Sequence, residues 1–282
     1  MGCLMLKQMR SYVTLAIACK VVLALIFISL LTATSLAQVP FDAAGEKQLV
    51  ELINQERISE GLPPLATDER LTQAARKHTE LLVKYQALSH RFDGEESLQL
   101  RAADENIRAD RQAENVALEM DVSGAHAVLM NSPPHRANIL SSNYNAVGVG
   151  VMRSGDQVYV TEDFAHRLPD YSDSEADALL QTTIAKFAAA KGVPAPERKP
   201  QAAIHQMACD MALIDSLDTG TPRSIAGVHQ VLAWTAADLE QLPAGAKHFL
   251  SQPVSAGYSM GVCFAPSVSH PGGMYWIVMV AY

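Results

Sequence analysis

Apolar residues along this chain fall into helical stripes, then strand-like runs, and then the same order again. In 46–60, EKQLVELINQERISE, residues Leu49, Leu52, Ile53 and Glu56 stand at helical spacing, and Gly61 with Pro63 and Pro64 ends the helix. A second helix is predicted from Thr67 or Asp68, with a stripe of Leu71, Ala74, Ala75, His78, Leu82 and Tyr85. SGAHAVLMNS, 123–132, reads as a shorter third helix. Two strands follow, Ala146–Met152 and Gln157–Phe164, joined by the turn RSGD. The polar, proline-bearing stretch Arg167–Asp177 reads as a linker.

The second half repeats this order. The segment from Leu49 lines up with the one from Leu179, including Gly61-Leu62-Pro63 against Gly192-Val193-Pro194. The segment from Leu71 matches that from Ile204, and Ser132–Ser141 matches Leu242–Ser251. AVGVGVM matches GYSMGVC, and VYVTEDFA matches MYWIVMVA. Five matches in one order predict two tandem copies of one fold, over 38–168 and 178–282, with 169–177 between them. Under this alignment His135 corresponds to Gly245 and Glu162 to Val278, so the second copy lacks the polar groups of the first.

The first 37 residues stand apart. Lys7, Arg10 and Lys20 precede or flank a charge-free run, Val21–Ala37, with Ser35 and Ala37 as small residues before Gln38. That is the pattern of a signal peptide cleaved after Ala37, which sends the protein out of the cytoplasm to the periplasm, envelope or medium. The alternative is an uncleaved anchor, the only route to a membrane here. Of the whole chain, 49% is hydrophobic and 18% charged, enough to build a core. Cleavage leaves 19 basic against 30 acidic residues, a net of −11, which argues against nucleic acid as a partner. Only Cys209 and Cys263 remain of four cysteines, and a disulfide or two buried thiols fit them equally.

The chemistry gathers around NSPPHRANIL, Asn131–Leu140, where two prolines end the third helix and aim His135 outward from a turn. Arg136 and Asn138 read as donors that tie the turn down, and Gly148 and Gly150 let the next strand pass closely beneath. In order, LSH (to His90), AENVA (with Glu114), SPPHRANIL and VYVTEDF resemble the CAP superfamily of cysteine-rich secretory, antigen 5 and pathogenesis-related 1 proteins, in its bacterial branch. The resemblance covers roughly 46–166. Ala113 stands for a customary Gly, Leu129 for a Trp and Pro134 for a Gly. It implies an α+β fold, an α-β-α sandwich, with a cleft lined by His90, Glu114 and His135. The family's second glutamate falls at or near Ser132, and Glu162 is a supplementary acid on the bordering strand.

Two imidazoles and a carboxylate allow three functions. A cleft for a lipid, sterol or cell-wall glycan is the reading the resemblance favours. Zinc or another divalent metal on His90 and His135, with Glu114 as catalytic base, would make a hydrolase of envelope polymers. A vestigial site on a structural protein is the third. Ser132 lies three residues from His135 but lacks an assigned base. Other histidines read more plainly: His78 as a core residue, His126 as solvated, His166 as surface, and the acidic loop Asp93–Ser97 as solvated.

Overall fold

Aspartates set where the first helices begin. Asp42 accepts from the Gly45 amide at 2.9 Å and opens α1 (Ala43–Ser59). Asp68 accepts from Arg70 and Leu71 at 2.9 and 3.2 Å and opens α2 (Glu69–Tyr85). Each satisfies amides that a helix start leaves unpaired. The first helix thus starts three residues before its apolar stripe suggests, because the cap and not the stripe fixes the boundary. The computed structural model describes residues 41–193, 195–199, 201–252 and 257–282; the predicted signal segment lies outside them.

After α2 come α3 (Leu98–Asp104), β2 (Ala109–Glu119), α4 (Val122–Asn131) and α5 (Pro133–Ile139), then β3 (Ala146–Ser154) and β4 (Gln157–Arg167). With the short β1 (Ala66–Thr67), the strands form a sheet of order β1-β3-β4-β2, antiparallel except for β1 beside β3. One face packs on α1 and α4 through Leu49, Ile53, Ala125, Leu129, Val149 and Phe164. The other receives α2. There Gly148 lies against the Leu71–Thr72 backbone and Gly150 against Ala75, so close that an added Cβ would stand 2.2 Å from Leu71 C and 2.8 Å from Ala75 O. These glycines bring the helix onto the sheet, and the result is a three-layer α-β-α arrangement, an α+β fold.

One correction concerns His135. The prolines do not end in a turn but begin a new helix, at the first positions of α5, where a missing N–H and a fixed φ cost nothing. Buried Arg57 holds this helix from beneath, donating Nη1 to the carbonyls of Ile139 and Ser141 at 2.8 Å each and Nε to Pro63 O at 3.0 Å.

The second half contains α6 (Asp173–Ala190), α7 (Ala202–Leu213), α8 (Gly220–Arg223), β5 (Gln230–Ala236), α9 (Ala244–Leu250), β6 (Tyr258–Ala265) and β7 (Met274–Ala281). Helix α6 begins inside the expected linker because Ser172 and Glu175 form a reciprocal capping box. The strand order β5-β7-β6 mirrors β2-β4-β3, and Gly261 lies against the Ile204–His205 backbone of α7. Gly148 pairs with Asp163, whereas Gly261 pairs with Val278. Gly261 shares with Gly148 the close approach to a helix backbone, and laid on that glycine Val278 stands where the first sheet has Asp163, whereas the sequence alignment sets Gly261 on Gly150 and Val278 on Glu162. A shift of one moves every side chain to the other face. In this register Ala233, Trp234, Ile277 and Val278 occupy the places of Glu114, Asn115, Glu162 and Asp163. Cys209 and Cys263 form a disulfide that joins α7 to β6.

Residues 41–282 make one compact unit. At the meeting of the halves, Gly272 O accepts from Ala109 N at 3.3 Å and the Arg108 guanidinium sits 4.1 Å over the Phe264 ring.

Candidate functional site

Successive residues of a strand point to opposite faces, and the Glu114-Asn115 pair in β2 uses both. Glu114 points to the α2 face. Its Oε1 accepts from His90 Nδ1 at 2.9 Å, and its Oε2 accepts a very short bond from Arg101 Nη2. Asn115 points to the opposite face and donates from Nδ2 to the His135 carbonyl at 3.2 Å and to Glu162 Oε2 at 2.9 Å, while accepting from Asn138 Nδ2 at 2.9 Å. One dipeptide on one strand therefore holds His90 from one side and the helix bearing His135 from the other.

Behind Glu114 is a buried polar network. Arg101 Nη1 donates to Glu95 Oε1 at 2.9 Å and to the His90 carbonyl at 3.3 Å. His78 Nδ1 lies 2.6 Å from Glu95 Oε1 and its Nε2 lies 2.8 Å from the Ser89 carbonyl oxygen, with Glu114 Oε2 3.7 Å from Nε2. Glu95 Oε2 in turn accepts from Phe92 N at 2.8 Å. The loop that carries His90 is thus anchored at both its backbone and its ring.

His90 and His135 are tuned in opposite directions. The hydrogen bond to Glu114 raises His90 above the usual imidazole value, partial burial opposing it. Partial burial, helped by the charge on His90, lowers His135. One ring is therefore disposed to donate a proton and the other to accept one. The His90 side chain is 61% exposed, so its free edge faces solvent. Burial alone pushes Glu162 up to about 7, against the bond from Asn115, and raises Asp163 well above the carboxylate range with help from the neighbouring Glu114 charge.

Of the residues expected in the cleft, His90 and Glu114 are bonded and His135 is electrostatically coupled to His90. Ser132 is half-buried at the N-cap of α5, and its side chain makes no capping bond. Glu162 is fully buried, with Oε1 unpartnered, so it lies beneath the site rather than on its surface. His78, Glu95, Arg101 and Asp163 were not anticipated as site residues. The acidic loop read as solvated supplies Glu95, whose side chain is nearly buried. His126, read as solvated, is buried too, and burial lowers its pKa. The spacing of Arg101 carried no signal, but His78 on an apolar stripe did: a buried imidazole demands partners.

A metal fits these residues poorly. Both Glu114 oxygens and His90 Nδ1 are already engaged, which leaves His90 Nε2 and the His135 ring. Among the described residues no group of three or more His, Cys, Asp or Glu side chains could hold a metal ion. Nor is any described helix long and apolar enough to cross a membrane.

Sequence comparison places these residues in a wider setting. Residues 50–164, which include His90, Glu114, His135 and Asp163, match the cysteine-rich secretory protein family, CAP. Over 122 residues the chain is 33% identical to "Uncharacterized protein YkwD" of Bacillus subtilis (strain 168), a match covering 40% of this chain and 44% of that protein. Over 125 residues it is 33% identical to "Uncharacterized membrane protein YlbC" of the same organism, covering 44% and 35%. The chain therefore matches less than half the length of these relatives. A solved extracellular protein containing a SCP domain, from Bacillus anthracis str. Ames, is 26% identical over 43% of this chain and 40% of its own, with a TM-score of 0.41. Residues 50–164 are thus a domain of the cysteine-rich secretory protein family.

Proposed function

We propose that the cleft over β2 binds a polar ligand outside the cytoplasm, and that cell-wall glycan fragments are its class. The carrying observation is the pair of oppositely tuned imidazoles, His90 as donor and His135 as acceptor, held by one Glu-Asn dipeptide. Such a pair suits hydroxyl, amide or carboxylate groups better than a sterol or an acyl chain, which would need an apolar lining. The engaged state of Glu114 supports its role as the residue that orients His90, and it weakens the reading in which Glu114 is the base of a metal-bound water. The second half, apolar at every matching position, is read as a degenerate copy kept for packing. Export through the N-terminal 37 residues accords with an extracytoplasmic ligand.

The test is calorimetry on the exported chain with soluble muropeptides, beside phosphatidylglycerol vesicles and a His90→Ala/His135→Ala variant. Saturable binding of muropeptides that the double variant loses is the expected result. Binding of vesicles alone would transfer the cleft to lipid. Equal muropeptide binding by the variant would remove the ligand from this cleft.

A further inference from the structure

Asp163 is the buried group that this account leaves unused. It sits in the middle of β4, fully enclosed, and neither carboxyl oxygen has a hydrogen-bond donor among the described residues. It pairs directly with Glu114 across β2 and β4, and with Gly148 on β3. Directly paired residues share a face, with Cβ atoms about 4.5–5.5 Å apart. The groups facing it are Glu114 from β2, Arg101 from α3 and Glu95 from the loop before α3, with His78 of α2 bonded into the same network. Arg101, the one guanidinium there, spends its Nη atoms on Glu114, Glu95 and the His90 carbonyl.

Two ionised carboxylates cannot bond each other, because each only accepts. An ionised Asp163 would be a second negative charge beside Glu114, desolvated and without a donor. Protonated, it supplies the missing donor. We propose that Asp163 is a neutral acid whose O–H donates to Glu114, so that the cleft floor is a carboxyl–carboxylate pair holding one proton, with Asp163 as the positioning residue for Glu114 and, through it, for the Nδ1–H of His90. The pair stands whether or not the cleft binds a glycan. It gives the exposed imidazole a continuous hydrogen-bonded path, His90–Glu114–Asp163, into the protein interior. In the second half the matching positions are Ala233 and Val278, which lose both partners together.

Infrared spectroscopy of the full chain in the Glu162→Gln background, at pH 7.5, tests the protonation. A carboxylic-acid carbonyl band that shifts when aspartate alone is labelled with carbon-13 is expected, and Asp163→Asn should remove it. Absence of that band overturns the proposal. NMR titration of His90 tests the positioning. Asp163→Asn, whose amide still donates, should leave the His90 midpoint within about 0.3 units, and Asp163→Leu, which cannot donate, should move it by more. A His90 midpoint that drops by a unit or more in Asp163→Asn means that Asp163 is charged. Equal behaviour of the Asn and Leu variants means that it only packs. Should the Leu variant fail to fold, the labelled band and the Asn titration still decide.

Discussion

Glu162 ties the stability of the fold to pH through a single buried side chain. It is fully buried, its pKa rises from 4.5 to about 7, and its one bond comes from Asn115. A raised carboxyl favours folding below its unfolded value and loses that contribution as pH climbs to the folded one. Stability should therefore fall between pH 4.5 and about 7, by about 3 kcal/mol at most. Glu162→Gln keeps an oxygen for Asn115 and removes the titration. Urea unfolding should show it nearly unchanged at pH 4.5 and more stable than the parent at pH 8, and an unchanged gap between the two pH values would refute the assignment. The neighbouring prediction runs the other way. Glu114→Gln weakens the bond that raises His90, so the His90 midpoint, read by NMR, should move down toward 6.5. Raised stability from a cationic His90 is present at low pH and lost as pH passes the folded value, so this variant should also narrow that slope.

At the scale of elements, the most informative residues are glycines. Gly148 and Gly261 each bring a helix so close that an added Cβ would stand 2.2 Å from Leu71 C or 2.3 Å from Ile204 O, both backbone atoms that move only with their helices. Alanine at either place should cost at least the roughly 1–3 kcal/mol of ordinary overpacking, measured as a fall in the urea midpoint. Gly155→Ala makes a control, since its φ of +61° strains the substitution but nothing crowds it. The sequence shows these helices and the β3–β4 hairpin because apolar periodicity and a Gly-bearing turn are local signals. It hides β2, because ADRQAENVALE breaks alternation with the residues that build the site. It also hides α5, because two prolines look like an ending until Arg57 and Asn115, both distant in the chain, hold the carbonyls of Ile139, Ser141 and His135. The polar network was half-visible for the same reason: His90, Glu114 and His135 carry motif neighbours, while Arg101 and Asp163 acquire meaning only through pairing across strands.

The whole molecule joins a polar sheet to an apolar one. The second sheet has the strand order β5-β7-β6 and its own helix-contacting glycine, and its interior is lined by apolar side chains where the first sheet has buried charges. Buried ionisable groups seldom add stability over apolar ones of similar size, so this half can fold without the cost the first half bears. If the halves form a cooperative unit, that surplus supports the first through their junction. The junction is narrow and tight at one point: Gly272 passes so near Ala109 that an added Cβ would stand 2.4 Å from Ala109 O, in a loop pinned by Arg108 over Phe264. Gly272→Ala should push the β6–β7 loop off the end of β2 while leaving both cores intact. Scanning calorimetry should then show one endotherm for the parent and two for the variant, the lower belonging to the half with His90, whose NMR midpoint stays at the parent value in the folded state. One undivided endotherm at the parent Tm would mean that the halves stay coupled through contacts other than Gly272, such as the Tyr275 hydroxyl bond to Pro169 O at 3.3 Å.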